Sequence, residues 1–345
     1  MSYTGGLKLK GHWVDDYIKQ GDGTKIYSTG DKYTGSFKDG KYHGKGIFIY
    51  GNGDKYTGQF KEGKYHGVGT FTWADGEKYI GQFKDGFRHG DGITTYPDGE
   101  KYTGQFKDGR RHGNGTYIYA NGDKYTGQWE AGHRQGNGTM NYSNGGKYIG
   151  QWKESWRSGE GTMTYFDGSK LSGQWAGDRI EDGEGTQNYP DGAKYTGQWE
   201  SDKYHGEGTM IYETGAKYTG QWNGGDRHGN GTYIYANGDK YTGQFYEGSR
   251  YGEGTLIYAN GDKYTGQWRD SYYGEGMLTY ANGDQYTGQF YDGKYYGNGT
   301  LTYANGEKYT GEWAYGQKNG EGIFYDRDGG ILKKGTFRND IFVDK

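Results

Sequence analysis

Histidine is the residue whose type and recurrence could most readily bind a metal ion in this sequence. Six histidines occupy one position of an internal repeat: His43, His66, His89, His112, His205 and His228. Equivalent positions in successive β-hairpins are two strands apart, roughly 9–10 Å. Zinc holds imidazole nitrogens at ~2.1 Å, so neighbouring histidines of this column cannot share one ion. The spacing therefore predicts structural or surface histidines and no metal site.

Carboxylates and glycine loops are the other groups that could perform chemistry. Asp54, Glu62, Glu77 and Asp85 recur, with their equivalents, in turns beside lysine. Paired carboxylates can hydrolyse glycosides, but a pair repeated in every unit offers no unique pocket. The tripeptide G-x-G also recurs, without the lysine and the helix that a phosphate-binding loop requires. We expect no catalytic residue, no cofactor and no enzyme activity.

Composition argues against an ordinary globular domain. Glycine supplies 73 of the 345 residues and tyrosine 40, and aromatic residues make up 18% of the chain. The aliphatic residues that fill two-layer cores are therefore scarce. Cysteine is absent, which fits a reducing compartment, and the net charge of −3 argues against a nucleic-acid binder. The first residues lack the apolar core of a signal peptide, so we expect a cytoplasmic protein.

A tripeptide Y-x-G recurs at a step of 23 residues almost throughout the chain. The thirteen copies begin at Tyr33, Tyr56, Tyr79, Tyr102, Tyr125, Tyr148, Leu171, Tyr195, Tyr218, Tyr241, Tyr264, Tyr286 and Tyr309. Such a period marks a repeat architecture, and atypical end copies are typical of caps. We assign residues 1–32 to a degenerate amino-terminal repeat or cap and residues 33–331 to thirteen repeats. Residues 332–345 are assigned to a carboxy-terminal half-repeat or cap.

One repeat unit is predicted to form two strands. Residues 55–61 (KYTGQFK) alternate in polarity, which places the tyrosine, glycine and phenylalanine on one face of a strand. Residues 67–73 (GVGTFTW) alternate in the same way after a turn at residues 62–64. An Asp-Gly pair at 75–76 favours a tight turn into the next unit. Glycines on the aromatic face would leave room for the large rings beside them.

This unit resembles the MORN repeat (membrane occupation and recognition nexus). The matching pattern is Y-x-G-Q-[FW]-x-x-G-x-x-x-G-x-G, as in residues 56–69 and 102–115, and the likeness covers about residues 9–337. The resemblance implies an all-β chain: an elongated single-layer antiparallel sheet of stacked hairpins that forms a curved, grooved rod. Families made mostly of this repeat include radial-spoke head proteins of motile cilia and protist cytoskeletal scaffolds. The resemblance therefore implies a scaffold in the cytoskeleton, or in the axoneme of a cilium or flagellum.

The aromatic face supplies the candidate partner-binding residues. Tyrosine and tryptophan combine large contact area with a polar tip, which suits both a core and an interface. We expect most of these rings to form the core and part of the groove to stay open for an extended peptide or helix. Open end strands could also pair with a second copy, giving a homodimer. The candidate groove residues are Tyr56, Phe60, Trp73, Tyr102, Tyr125, Trp129, Tyr241, Tyr264, Trp268 and Tyr286.

The two ends of the array differ in charge and aromatic content. The first repeats carry a basic amino-terminal patch that predicts an anionic partner: Lys38, Lys61, Lys84 and Lys107. Later repeats carry a tyrosine-rich patch that predicts a protein partner: Tyr251, Tyr273 and Tyr296.

Two classes of function remain open at this point. The favoured interpretation is a non-catalytic scaffold for protein–protein interactions in a cytoskeletal or ciliary (axonemal, radial-spoke-like) assembly. The alternative is a peripheral membrane protein that binds anionic phospholipids or phosphoinositides, which requires clustered positive charge. Acidic turn residues beside the lysines weigh against the lipid alternative.

Overall fold

The chain folds entirely into β-strands joined by tight turns. The computed structural model describes residues 8–14 and 17–343, and in these residues there are thirty strands and no helix. The prediction of an all-β chain of stacked antiparallel hairpins is confirmed. The chain divides into two units, one of residues 1–168 and 172–179, the other of residues 169–171 and 180–345. Parts of both predicted caps, including residues 1–7, lie outside the described residues.

In the first unit each strand pairs antiparallel with the next strand along the chain. Its strands are β1 Lys8–Val14, β2 Tyr17–Ile26, β3 Lys32–Lys38, β4 Lys41–Ile49, β5 Lys55–Lys61, β6 Lys64–Thr72, β7 Lys78–Lys84, β8 Phe87–Thr95, β9 Lys101–Lys107, β10 Arg110–Ile118, β11 Lys124–Glu130, β12 His133–Asn141, β13 Lys147–Lys153 and β14 Trp156–Thr164. Strand β15, Lys170–Ala176, has residues in both units, and the first residue of the strand that follows it, Arg179, also belongs to the first unit.

The second unit repeats this sequential pairing from β16 to β30. Its strands are β16 Arg179–Asn188, β17 Lys194–Glu200, β18 Lys203–Ile211, β19 Lys217–Asn223, β20 Asp226–Ile234, β21 Lys240–Tyr246, β22 Ser249–Ile257, β23 Lys263–Arg269, β24 Ser271–Thr279, β25 Gln285–Tyr291, β26 Lys294–Thr302, β27 Lys308–Ala314, β28 Gln317–Tyr325, β29 Ile331–Arg338 and β30 Ile341–Val343.

The hairpin of β5 and β6 shows how one repeat closes. The first strand has the predicted bounds, but the second begins at Lys64 and ends at Thr72, whereas the sequence predicted residues 67–73. The prediction was wrong because the turn needs two residues only: Glu62 and Gly63 both have left-handed φ angles, 50° and 83°. Two such residues match the twist of the flanking strands, so Lys64 already pairs with Lys61.

A bulge in the second strand explains one of the repeated glycines. The register shifts between Gly58 and Gln59, and opposite this shift Gly67 has a φ of +61°. The Gln59 side chain also occupies the space that a Cβ on residue 67 would need. Left-handed backbone and a filled Cβ site together restrict this position to glycine.

In twelve of the thirteen predicted repeats the core is a tyrosine ring lying against two glycines, and Leu171 takes the place of the tyrosine in the other. Tyr56 has no exposed surface, and its hydroxyl donates a hydrogen bond of 2.9 Å to the Gln59 carbonyl oxygen. Gly58 and Gly69 are paired in register, and a Cβ on Gly69 would lie 2.7 Å from the Tyr56 ring atoms Cε2 and Cζ. The missing side chains therefore create the slot that the ring fills.

Within each unit, edge-to-face ring contacts join a tyrosine core to the following hairpin. The Tyr56 ring centroid lies 5.1 Å from Phe60 of the same hairpin and 5.1 Å from Phe83 of the following one. The interplanar angles are 87° and 89°, the T-shaped arrangement that aromatic quadrupoles favour. Each repeat thus buries its aromatic face against its neighbour, as solenoid repeats must.

Candidate protein-interaction surfaces

Nine of the ten predicted groove aromatics belong to the core. The six tyrosines among them have no exposed surface, and Phe60, Trp129 and Trp268 are at most 4% exposed. Trp73 alone among the ten is half-buried. A side chain that is fully covered by its neighbours cannot contact a partner. The prediction that these nine rings bind a partner is therefore wrong, and their role is structural. The six tyrosines are Tyr56, Tyr102, Tyr125, Tyr241, Tyr264 and Tyr286.

Burial keeps these core phenols neutral well into the alkaline range. Removal from water raises the pKa of Tyr79 and of Tyr148 to about 12, and the nearby guanidinium groups of Arg88 and Arg157 lower the two values only in part. A neutral phenol can donate a hydrogen bond, such as the one from the Tyr56 hydroxyl to the Gln59 carbonyl oxygen at the bulge.

Half-buried rings on the same face form a second layer beside the core. In the first unit, Tyr119 and Tyr142 lie at the ends of successive second strands, and the side chain of Arg134 lines the same depression of about 490 Å³. Carboxylates at the depression add negative charge: Glu100, Asp123 and Asp178. We call these six residues the aromatic groove. It offers two partly open rings, one guanidinium group and three acceptors to a partner.

Arginine is the groove component that the sequence reasoning missed. The Arg134 guanidinium carbon lies 4.4 Å from the Trp152 ring centroid, and its Nη2 donates a 2.6 Å hydrogen bond to the Ser155 carbonyl oxygen. In another repeat Tyr65 takes this place and stacks on Tyr56 at 3.9 Å. The signal was present in the sequence, because this position, two residues before G-x-G, is repeatedly Tyr or Arg. The arginines are Arg88, Arg111, Arg134, Arg157, Arg227 and Arg250.

Two histidines of the column lie beside a carboxylate at a strand end or in a turn. His205 Nδ1 is 2.9 Å from the Glu200 carboxylate, and His89 Nδ1 is 3.9 Å from the Asp108 carboxylate. Among the residues that the structure describes, no three His, Asp or Glu side chains are grouped to hold a metal ion.

The basic amino-terminal patch is exposed at the ends of β3, β5, β7 and β9. Lys61 faces Lys64 across its hairpin, and Lys38 faces Lys41 in the same way. Like charges directly opposite one another destabilise a strand pair, so an anion between them would be favourable. Asp39 forms a 2.9 Å ion pair with Lys19 in the turn beside Lys38.

The tyrosine-rich patch extends further than the sequence indicated. Tyr251, Tyr273 and Tyr296 are 54%, 38% and 46% exposed. Two strand-end residues join them, Tyr246 at 51% and Tyr291 at 57%. These two occupy the repeat position where the first repeats carry lysine. Comparing this position along the sequence could have identified them. We call the five residues the tyrosine row.

A family model described as MORN repeat matches twelve segments that cover most of the chain. They are residues 33–55, 56–78, 79–101, 102–124, 125–147, 148–170, 195–217, 218–240, 241–263, 264–285, 286–308 and 309–331. Residues 171–194 are not matched, so the repeat that begins at Leu171 stays a prediction. Strands β15 and β16 lie in this segment.

Solved structures show weaker likenesses. The TCP domain of SAS-4 (dCPAP) from Drosophila melanogaster, in complex with a proline-rich motif of Ana2, is 12% identical with a TM-score of 0.29, covering 49% of this chain and 97% of that one. The wild-type TCP10 domain of CPAP from Danio rerio is 12% identical with a TM-score of 0.18, covering 71% of this chain and 99% of that one. Scores this low carry no argument about partners. No curated protein matches the chain.

Helices able to cross a membrane are not found in the described part of the chain.

Proposed function

The chain belongs to the family of MORN-repeat proteins, and from this premise we propose that it is a non-catalytic scaffold for protein–protein interactions in a cytoskeletal or ciliary assembly. The cytoskeletal or axonemal setting rests on the likeness to families that consist mostly of this repeat, such as radial-spoke head proteins. Scaffolding requires surfaces that hold partners without converting them.

The aromatic groove is the observation that carries this proposal. Tyr119 and Tyr142 remain half-buried beside core tyrosines that have no exposed surface, and Arg134 lies beside them. Tyrosine and arginine are the residues most enriched among the anchors of protein interfaces. A depression of about 490 Å³ accommodates one or a few side chains of a bound segment, which fits an extended peptide or a helix.

Affinity capture with a paired variant tests the proposal. The double variant Tyr119→Ser and Tyr142→Ser removes both open rings, and Ile149→Thr, exposed at 51% in the same unit, serves as the control. Quantitative mass spectrometry of proteins captured from a cytoskeletal extract should show specific partners depleted at least tenfold by the double variant and retained by the control. Identical captured sets for all three proteins would contradict the groove as a partner site.

Anionic lipid binding is the second candidate, and the facing lysines of β3–β4 and β5–β6 favour it. Vesicles containing a phosphoinositide should then sediment the wild-type chain at low salt, because charge attraction weakens with ionic strength. Reversing the basic patch with Lys38→Glu, Lys61→Glu, Lys84→Glu and Lys107→Glu should abolish sedimentation. The control reverses two exposed lysines of the second unit, Lys240→Glu and Lys263→Glu. Equal sedimentation of both variants would exclude the patch as a lipid site.

A further inference from the structure

The tyrosine row and Arg269 together form a continuous surface along strands β21 to β26. Ring centroids are 6.0 Å apart between Tyr246 and Tyr251, 6.2 Å between Tyr273 and Tyr291, and 5.7 Å between Tyr291 and Tyr296. Arg269 lies between Tyr251 and Tyr273. It is the registered partner of Tyr251, and its guanidinium carbon lies 5.9 Å from the Tyr273 ring centroid.

Carboxylates lie on both sides of the row. Glu253 and Glu275 follow Tyr251 and Tyr273 by two residues, so each shares a strand face with its tyrosine. Along the other side, the turns carry three exposed acidic residues: Glu247, Asp270 and Asp292. Arg269 and Lys294 are nearby cations, and the guanidinium groups of Arg227 and Arg250 donate hydrogen bonds to the carbonyl oxygens of Gly248 and Asp270 in the same turns. The five carboxylates outnumber these four cations, so the surface around the rings carries a small negative charge.

We propose that the tyrosine row docks an extended peptide rich in arginine or lysine, which gives the proposed scaffold function, on which this inference rests, a partner of defined chemistry. Cationic side chains would lie on the faces of the phenol rings and pair with the carboxylates alongside. Cation–π contact is favourable within about 6 Å of a ring centroid, the distance that Arg269 already reaches on Tyr273. The chain's own arginine thus occupies one position of the kind that the peptide would use.

The repeat spacing matches that of an extended peptide. Successive hairpins advance by two strands, or about 9.4–9.8 Å. Three residues of an extended peptide in the polyproline II conformation span about 9.3 Å and complete one turn, so every third side chain faces the same way. A peptide running across the strands would therefore present a cation to each hairpin when arginine or lysine recurs at every third residue.

Equivalent positions in the first repeats carry lysine and histidine in place of the neutral phenol rings. Where the tyrosine row has Tyr246 and Tyr251, the β5–β6 hairpin has Lys61 and His66. A cationic peptide is repelled by the lysines there and attracted by the carboxylates and rings of the second unit. The first and the later repeats share one backbone fold, so a difference in their affinity for the cationic peptide would follow from their side chains alone.

Fluorescence polarisation with a labelled peptide of four Arg-Gly-Ser triplets tests the proposal on the full chain. The matched peptides are four Glu-Gly-Ser triplets and a peptide of identical composition with its arginines adjacent. The triple variant Tyr251→Leu, Tyr273→Leu and Tyr296→Leu removes the ring faces but keeps apolar bulk, whereas the corresponding phenylalanine variant keeps the rings. Ile257→Thr, 44% exposed on β22, is the surface control.

The arginine-triplet peptide should bind, at least tenfold more tightly than either matched peptide. The leucine variant should weaken binding at least tenfold, while the phenylalanine variant and Ile257→Thr stay within about twofold of wild type. Glu253→Gln with Glu275→Gln should weaken binding and reduce its salt dependence. Circular dichroism checks that each variant is folded.

Several results would overturn the proposal. These are no binding of the arginine-triplet peptide, equal binding of the glutamate peptide, or leucine and phenylalanine variants that behave alike. A failure of the scaffold function can be distinguished from a failure of this proposal. The groove variant Tyr119→Ser with Tyr142→Ser leaves the tyrosine row intact, so it should bind the peptide as wild type does.

Discussion

At the scale of single residues, a tyrosine ring lying against a pair of glycines is the contact that recurs in twelve of the thirteen predicted repeats. The ring of Tyr56 fills the space that side chains on Gly58 and Gly69 would occupy. These glycines stand there because the ring leaves no room for a Cβ. The turn glycine Gly63 is different, since open space surrounds it and only its left-handed backbone requires glycine.

Gly69→Ala should therefore lower the free energy of unfolding by more than Gly63→Ala does. The methyl group at residue 69 would lie 2.7 Å from the Tyr56 ring atoms and must displace a sealed ring, a cost of about 3 kcal/mol. At residue 63 the cost is about 1 kcal/mol of left-handed strain. Urea unfolding followed by circular dichroism measures both, and equal midpoints for the two variants would show that the slot is not tightly packed.

The core hydroxyls should contribute measurably to stability. Tyr125 donates a 3.0 Å hydrogen bond to the Gln128 carbonyl oxygen from a fully buried position. Tyr125→Phe should lower the free energy of unfolding by about 1 kcal/mol, because the carbonyl loses its partner inside the protein. Tyr251→Phe, on an exposed ring, should leave the unfolding midpoint unchanged. A core variant as stable as wild type would assign the hydroxyl no structural role.

At the scale of the hairpin, arginine and tyrosine are alternative solutions to one packing problem. The second strand needs a flat group over the core ring. Tyr65 supplies it by stacking on Tyr56, and its hydroxyl forms a hydrogen bond with that of Tyr50. Arg134 supplies it by lying over Trp152 and bonding to the Ser155 carbonyl oxygen. Planarity is what the two side chains share.

Arg134→Tyr should accordingly be tolerated, whereas Arg134→Ala should not. The tyrosine would stack on the core ring and place its hydroxyl near that of Tyr119, as Tyr65 does with Tyr50. Alanine loses the stack and the hydrogen bond, at a cost of about 2 kcal/mol. Thermal unfolding of both variants checks this. If tyrosine destabilises as much as alanine does, charge and not planarity decides the position.

At the scale of the whole chain, the tyrosines that are fully buried, twelve among the described residues, couple stability to alkaline pH. Their pKa values are raised by burial, for Tyr79, Tyr148 and Tyr309 to about 12 from an ordinary 10. Above pH 10 the unfolded chain loses phenolic protons that the folded chain keeps. The unfolded state is then favoured, so the stabilisation present below pH 10 is lost as pH rises through the folded-state values.

We expect cooperative unfolding between pH 10 and about pH 12, with tyrosinate absorbance and loss of the β-sheet signal changing together. Because many phenols titrate at once, the transition should be steep. Tyr79→Phe removes one titrating group and should reduce the proton release on unfolding by about one. Tyrosinate that forms gradually while the β-sheet signal persists would refute the linkage.

The amino-acid sequence by itself determined the period, the strand faces and the turns between repeats, because alternation within a strand and Asp-Gly or Asn-Gly pairs are local properties. The extent of the turn within each hairpin was decided by the left-handed backbone of its two residues, as at Glu62 and Gly63. Tertiary structure decided which rings stay accessible. Tyr56 is covered by rings of its own and the next hairpin, whereas Tyr119 and Tyr251 are left partly or largely open. Burial depends on contacts between neighbouring repeats, and the local pattern of one unit does not contain them. For the same reason, the place of Arg134 beside Trp152 became apparent only in the folded chain.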